Sequence, residues 1–238
     1  MSTKCVHLSQ LWPQVKAISF DLDDTLWPIG PVIGRAEQAL FDWLRQNFPR
    51  IAAGHSIPSL RKHREQTAAR HPDLAHDVSA LRRRALECLL QEHDIDQTTA
   101  LEMARLGWQV FYARRNEISW YDDALPLLQR LQTSYRLVAT TNGNADLVAI
   151  GADHLFEHAV RAGEVGFAKP DAGIWQHVSS LLQLQPHEIL HIGDHPEHDV
   201  LGAMACGHPA IWLCRARQPW LLPAPAPVTI QSLHQLQL

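Results

Sequence analysis

From residue 120 onward the chain alternates short apolar runs with amphipathic segments, and that alternation leaves few folds open. It predicts strands at 136–140, 158–161, 188–192, 210–213 and 228–230. Helices are expected at about 123–132, 145–150, 172–182 and 200–206, with a terminal helix after the last strand. Repeated β–α units build a parallel sheet with right-handed crossovers. One further apolar run, residues 15–20, stops abruptly in Asp21-Leu22-Asp23-Asp24-Thr25 and reads as a buried strand meeting a loop. The stretch that follows has a different period. Ala36, Ala39, Leu40, Trp43 and Leu44 share one helical face, as do Val78, Leu81, Ala85 and Leu89, and then Leu101, Ala104, Trp108 and Phe111. A weaker helix is expected at 57–69. The fold class is therefore α/β: a doubly wound parallel sheet, interrupted after its first strand by an all-helical insertion. Residues 1–30 and 116–238 are assigned to the core and 31–115 to the insertion.

Composition removes several function classes. Hydrophobic residues make up 46% of the 238, enough for a packed core. Lys and Arg number 21 against 25 Asp and Glu, so there is no global basic field for nucleic acid. No apolar run is long enough to span a bilayer. Gln10, Pro13, Gln14 and Lys16 interrupt any basic-then-apolar leader pattern. Cys5, Cys88, Cys206 and Cys214 form no CxxC pair, which points to free thiols and a cytoplasmic setting.

In an open sheet of this kind, ligands bind beyond the carboxyl ends of the strands. Three expected strands end in polar sets: Asp21, Asp23 and Thr25; Thr141, Asn142 and Gly143; Gly193, Asp194 and Asp199. Lys169-Pro170 lies between the last two. Any one set alone reads as loop composition, because Asp, Asn, Gly and Thr are turn residues. Three of them at strand ends of one sheet do not. Carboxylates that converge need a cation, and hard oxygen ligands with few protein contributors suit Mg²⁺. Lys169 adds a fixed positive charge. Thr141 and the backbone N–H groups beside it can hold the oxygens of an anion. One carboxylate can serve as nucleophile and its neighbour as proton donor. The partner that best suits this arrangement is a small phosphorylated metabolite, a phosphate monoester.

Asp21-x-Asp23-x-Thr25, Thr141, Lys169 and Gly193-Asp194-x4-Asp199, in that order, resemble the four motifs of the haloacid dehalogenase-like (HAD) hydrolases. The resemblance covers the whole chain, since that family places a helical cap between its first and second motifs. It implies a Rossmann-like core and a set of roles. Asp21 attacks phosphorus and forms an aspartyl-phosphate. Asp23 protonates the leaving oxygen and then activates water. Asp21, the backbone carbonyl of Asp23 and Asp194 hold Mg²⁺, with Asp199 supporting them. Thr141 and Lys169 bind the phosphoryl group, Lys169 also restraining Asp21, and Asn142 contributes its backbone N–H while its side chain shapes the loop. Thr141-Asn142-Gly143-Asn144, Arg161-Ala162-Gly163 and the run from Glu188 to Asp194 are similar to a narrower bacterial branch, which dephosphorylates the ribitylaminouracil intermediate of riboflavin synthesis. His195 departs from the Asp or Ser that related phosphatases often carry there.

Three rivals remain. A haloacid dehalogenase needs the nucleophile but no leaving-group acid, and such relatives usually lack Asp at the position of Asp23. A promiscuous nucleotide or sugar phosphatase would share every motif. A catalytically silent binding protein would be expected to lose part of the polar set, which here is whole. Other features read more plainly. His191, His195, His198 and His208 are expected to form a His-rich rim rather than a zinc site. Arg82-Arg83-Arg84 reads as a charged helix face, Asp24 as a turn residue, and Trp43, Trp108 and Trp175 as core. The run 163–169 lacks the glycine a P-loop needs before Lys169. Trp27 is the tryptophan placed to meet a substrate.

Overall fold

The computed structural model describes residues 5–238, so the first four residues of the expected core segment lie outside the described residues. Six strands form one all-parallel sheet: β1 (Ala17–Phe20), β2 (Arg136–Thr141), β3 (His158–Arg161), β4 (Ile189–Gly193), β5 (Ala210–Leu213) and β6 (Val228–Ile230). Their spatial order is β3-β2-β1-β4-β5-β6. The order reverses between β1 and β4, which makes the carboxyl end of β1 the switch point where such sheets bind ligands. β1, β4 and β5 are buried along their whole length. That explains their near-continuous apolar runs, because a parallel sheet is covered on both faces. The register sets Phe20 beside Ala139 on one side and Ile192 on the other. Asp21, Thr141 and Asp194 therefore emerge together at one edge.

The chain divides into two compact units, one holding this sheet and the other made of Ile29–Ile118 with Asn144–Asp146. The second unit contains α1 (Ile29–Asn47), α2 (Ile57–Arg70), α3 (Val78–Gln91) and α4 (Gln97–Arg115), plus a one-turn helix at Pro49–Ala53. Of these, α2, α3 and α4 each begin at a side-chain cap. Ser56 and Ser59 exchange a capping box, Asp77 Oδ1 accepts from the Ser79 and Ala80 N–H groups, and Asp96 Oδ1 from those of Thr98 and Thr99. Leu40, Leu44, Leu86, Leu89, Ala104 and Phe111 meet in its core. Gly107 permits a close helix approach there, since a Cβ would overlap Leu86 and the Trp43 ring. Buried Glu37 gathers Arg61, Arg64 and Arg82 at 2.7, 3.3 and 3.9 Å. Arg82 also stacks on Phe111, Arg83 lies over Trp108, and Arg84 pairs with Glu87 at 2.8 Å. The arginine triplet is thus bound up within its own unit.

In the sheet unit, α5 (Ala124–Leu131) buries Ala124, Leu127, Leu128 and Leu131. α6 (Ala172–Leu182) packs Ile174, Trp175 and Val178 against Ala17, Ile189 and Trp212, each large side chain contributing roughly 2–3 kcal/mol of burial. Three expectations need correction. No terminal helix forms. Ser232 and Gln235 close a single 3₁₀ turn at Leu233–Gln235, and Leu236–Gln237 then pairs in parallel with Val6–His7, a pairing not expected from the apolar pattern. The expected helix at 200–206 starts earlier, as a wide π-type turn over Pro196–Leu201, and only then tightens into Gly202–Ala205. The expected helix at 145–150 shrinks to Leu147–Ile150, because Asn144 bonds Ser79 and Arg115 and the Asp146 N–H donates to Asn116.

The last strand is fastened through Asp123, which is buried and accepts from both Arg215 nitrogens, the Ser232 hydroxyl and the Leu233 N–H at 2.6–3.0 Å. Burial would raise this carboxyl, but the bonds from Arg215 and Ser232 hold it below its ordinary range. A depressed folded-state pKa contributes stability that is present above the unfolded value of about 3.9 and fades as pH falls below it. Asp123→Ala should therefore lower stability by about 3 kcal/mol at pH 7, since it strands Arg215. In urea titrations the deficit should shrink as pH drops below about 4. A deficit independent of pH would show that the carboxylate charge is not what holds the strand.

Candidate active site

Lys169 is the centre of the site. Its side chain is buried, and Nζ donates to Asp21 Oδ1 at 2.6 Å, to Asp199 Oδ1 at 2.6 Å and to the Thr140 carbonyl at 2.8 Å. These three acceptors use all three ammonium protons. Burial alone would lower the Lys169 pKa, but the two carboxylates raise it above its ordinary value, so the group is a fixed cation. Asp199 is held below the usual carboxylate range, burial being outweighed by Lys169 and by a bond with His191. Its Oδ2 accepts from the His195 N–H at 2.8 Å. Gly193 is required beside it, because a Cβ there would overlap the Asp199 carboxyl.

The other two carboxylates carry charge that Lys169 does not balance. Burial, with Asp199 and Asp194 nearby, pushes Asp21 well above its usual range despite the pull of Lys169. Burial and the charges of Asp199 and Asp24 push Asp194 up to about 7, although the Thr25 hydroxyl donates to it at 3.2 Å. Ligand oxygens of Asp21, Asp194 and Asp199 lie within 4.8 Å of one another, the one such grouping among the described residues. A divalent cation fits this donor set: all-oxygen, anionic and destabilised without positive charge. Both Asp199 oxygens already accept bonds, so Asp21 and Asp194 are the better placed to hold it.

Thr141 ends β2, and its Oγ1 accepts from the Gly143 N–H at 2.9 Å, which leaves the hydroxyl proton to donate elsewhere. Asn142 braces Lys169 instead of facing a ligand with its side chain. Nδ2 donates to the Lys169 carbonyl at 2.8 Å and Oδ1 accepts from the Lys169 N–H at 2.7 Å. The structure thus brings Asp21, Asp23, Thr141, Asn142, Lys169, Asp194 and Asp199 around one cleft of about 200 Å³, together with Asp24, Gly143, His195 and His198. Asp24 occupies the left-handed turn after Asp23, at φ 59°, a conformation Asp tolerates better than most residues.

Several contributors were not visible as such in the sequence. His195 caps the π-type turn, its Nδ1 accepting from the Glu197 and His198 N–H groups, as an Asp or Ser would. His195-Pro196 is a helix-start signal that fits this role. His191 and His208 are buried and bonded to Ser19 and to the Ile189 carbonyl, so the four histidines do not converge. Trp27, expected to meet a substrate, does not line the cleft: it is buried, and its indole donates to Asp23 Oδ1 at 2.8 Å.

Comparison with known proteins finds similar hydrolases. The haloacid dehalogenase-like hydrolase family model matches residues 15–207. A 5-amino-6-(5-phospho-D-ribitylamino)uracil phosphatase of Escherichia coli is 30% identical over 200 residues, 84% of either chain. A phosphoserine phosphatase of Thermus thermophilus is 32% identical over 126 residues, 50% of this chain and 51% of that protein. The crystal structure of a 2-haloacid dehalogenase from Pseudomonas syringae superposes with a TM-score of 0.87 at 32% identity, over 93% of this chain and 96% of that one.

Replacing the central cation should be costly. Lys169→Met leaves Asp21 and Asp199 buried without their shared ammonium, and breaking a buried pair in this way costs about 3–5 kcal/mol. Thermal and urea unfolding at pH 7 would report it. A loss under about 1 kcal/mol, the size of a surface pair, would mean that the carboxylates do not depend on Lys169.

Proposed function

The chain belongs to the haloacid dehalogenase-like hydrolases, and on that premise we propose that it is a Mg²⁺-dependent phosphatase of small phosphorylated metabolites that works through an aspartyl-phosphate on Asp21. The observation that carries this reading is the pairing of two differently held aspartates. Asp21 is fixed by an ammonium, and Asp23, two residues on, is fixed by an indole N–H. Lys169 directs one Asp21 oxygen and leaves the other to attack phosphorus. Thr141, through its hydroxyl proton, holds a phosphoryl oxygen, the Asn142 backbone N–H adds a donor, and Lys169, its protons already engaged, contributes its fixed positive charge beside them. Asp23 gives its proton to the leaving oxygen, then takes one from the water that opens the aspartyl-phosphate. Asp21, Asp194 and the Asp23 carbonyl are the groups that would hold Mg²⁺, which when bound offsets the negative charge of the carboxylates and the phosphoryl group.

The substrate we favour is 5-amino-6-(5-phospho-D-ribitylamino)uracil, on the strength of the Escherichia coli relative. The helical unit is assigned the substrate-selecting role of a cap. A second reading, halide displacement from a small haloacid, is favoured by the Pseudomonas syringae structure. Halide leaves without a proton, so that reaction would have no use for Asp23. A silent binding protein is disfavoured, because the polar set is complete.

Phosphate and halide release, measured side by side, separate the readings. Phosphate release should stop with a chelator and return with Mg²⁺, and Asp194→Ala should behave like the chelated enzyme. Full activity after exhaustive chelation would remove the metal from the reaction. The aspartates separate in a burst experiment with nitrophenyl phosphate, whose leaving group needs no protonation. Asp23→Asn should release about one equivalent of nitrophenol and then turn over some 10²–10⁴-fold slower than the wild type, having lost its base. Asp21→Asn should show neither phase. A burst that persists in Asp21→Asn would place the nucleophile elsewhere.

A further inference from the structure

The indole that fixes Asp23 has no step of its own in the reaction above. Trp27 is fully buried, and its ring meets Trp120 edge-on, centroids 5.1 Å apart and planes at 84°. Its Nε1–H donates to Asp23 Oδ1 at 2.8 Å. The intervening backbone is folded to make this reach possible. Asp24 sits at φ 59°, its N–H donates to the Trp27 carbonyl at 2.7 Å, and the Leu26 N–H donates to the Leu22 carbonyl at 2.8 Å. Asp23 and Trp27 also pair as an isolated β-bridge. The two residues thus close a small ring of chain on themselves, with the indole wedged against Trp120.

We propose that Trp27 is a positioning residue for the acid–base step: by donating to Oδ1 it assigns the transferable proton of Asp23 to Oδ2. The proposal rests on the reading of Asp23 as the acid and base. An indole N–H donates and has no capacity to accept. The oxygen it touches is therefore an acceptor, and because the carbonyl-type oxygen of a carboxyl accepts far better than the hydroxyl oxygen, a proton carried by the group is directed to the other one. Turning the carboxyl over would break a bond whose donor is buried, where an unmet N–H is expensive. In the first half-reaction the Asp21 oxygen bonds to phosphorus and the ester P–O bond breaks. Its electron pair stays on the leaving oxygen, which takes the Oδ2 proton. In the second, a water oxygen bonds to phosphorus, its proton passes to Oδ2, and the bond from phosphorus to Asp21 breaks. Both transfers use the same oxygen, and Trp27 keeps that oxygen in place throughout.

The test is a split by leaving group, measured on the Mg²⁺-loaded full chain. Single-turnover phosphoryl transfer is compared for an alkyl phosphate, whose alkoxide needs a proton, and for nitrophenyl phosphate, whose phenolate does not. Trp27→Phe keeps an aromatic ring against Trp120 but removes the N–H. The alkyl-to-nitrophenyl rate ratio should fall about tenfold, toward the larger fall expected of Asp23→Asn, with KM little changed. Equal slowing of both substrates would reduce Trp27 to packing and overturn the proposal. Should Asp23→Asn itself leave the ratio unchanged, the acid–base reading fails and the proposal fails with it. If only Trp27→Phe leaves it unchanged, the acid–base reading stands and Trp27 alone is misassigned. Should Trp27→Phe not fold, the indole N–H resonances decide. In Asp23→Ala one of the eight tryptophan signals should move strongly upfield as its carboxylate acceptor is lost. A spectrum with no such shift would overturn the bond on which the proposal stands.

Discussion

A single buried ammonium holds together parts of the chain that lie far apart in sequence. Lys169 joins Asp21 at the end of β1, the Thr140 carbonyl within β2, and Asp199 in the turn after β4. Each acceptor would be costly to bury alone, and the cation would be costlier still. Their mutual placement makes all four acceptable. Lys169 is itself held from behind by the two bonds between its backbone and the Asn142 side chain. The carboxyl edge of the sheet is therefore a polar lattice whose members fix one another.

That lattice continues into the sheet. Ser19 of β1 stands level with His191 of β4, and its hydroxyl lies 2.9 Å from His191 Nδ1 and 2.9 Å from Thr140 Oγ1. Burial pushes the His191 imidazole down to about 4, so it is neutral at neutral pH and carries one N–H. Asp199 is ionised and can only accept, hence that N–H belongs on Nε2, 3.3 Å from Asp199 Oδ1, and Nδ1 turns to the Ser19 hydroxyl. Three polar side chains in otherwise apolar strands thus have a common purpose. They orient Asp199, which orients Lys169, which sets one oxygen of Asp21.

The sheet was legible because its signal is local. A buried parallel strand is a short apolar run bounded by polar residues, and 210–213 and 228–230 coincide with β5 and β6 to the residue. Elements set by distant partners were not legible. Leu236–Gln237 pairs with Val6–His7, more than two hundred residues away, and no window around Leu236 contains that information. The turn over Pro196–Leu201 widens to deliver Asp199 to Lys169, while apolar periodicity near it suggests only an ordinary helix. At the site, the carboxylates and Lys169 stood out because charged residues at strand ends are conspicuous. The same logic failed for Trp27. An aromatic residue beside a motif suggests stacking on a ligand, and whether an indole N–H faces a ligand or a carboxylate depends on the backbone turn at Asp24.

That turn also bears on what separates two chemistries carried by one fold. A carboxylate beside a lysine, in the nucleophile role proposed for Asp21, would suit displacement at carbon as well as at phosphorus, so Asp21 and Lys169 do not choose between halide and alkoxide as leaving group. The choice lies in whether a proton waits beside the departing atom. An alkoxide is a poor leaving group unless it is protonated, whereas a halide gains nothing from an acid. Here Asp23 is present and is also held by a buried donor, within a loop that takes a left-handed turn at a non-glycine residue to close on it. A loop closed in this way around one carboxyl group supports the acid–base role proposed for it. The orientation of Asp23 thus favours phosphate-ester chemistry more strongly than its presence does.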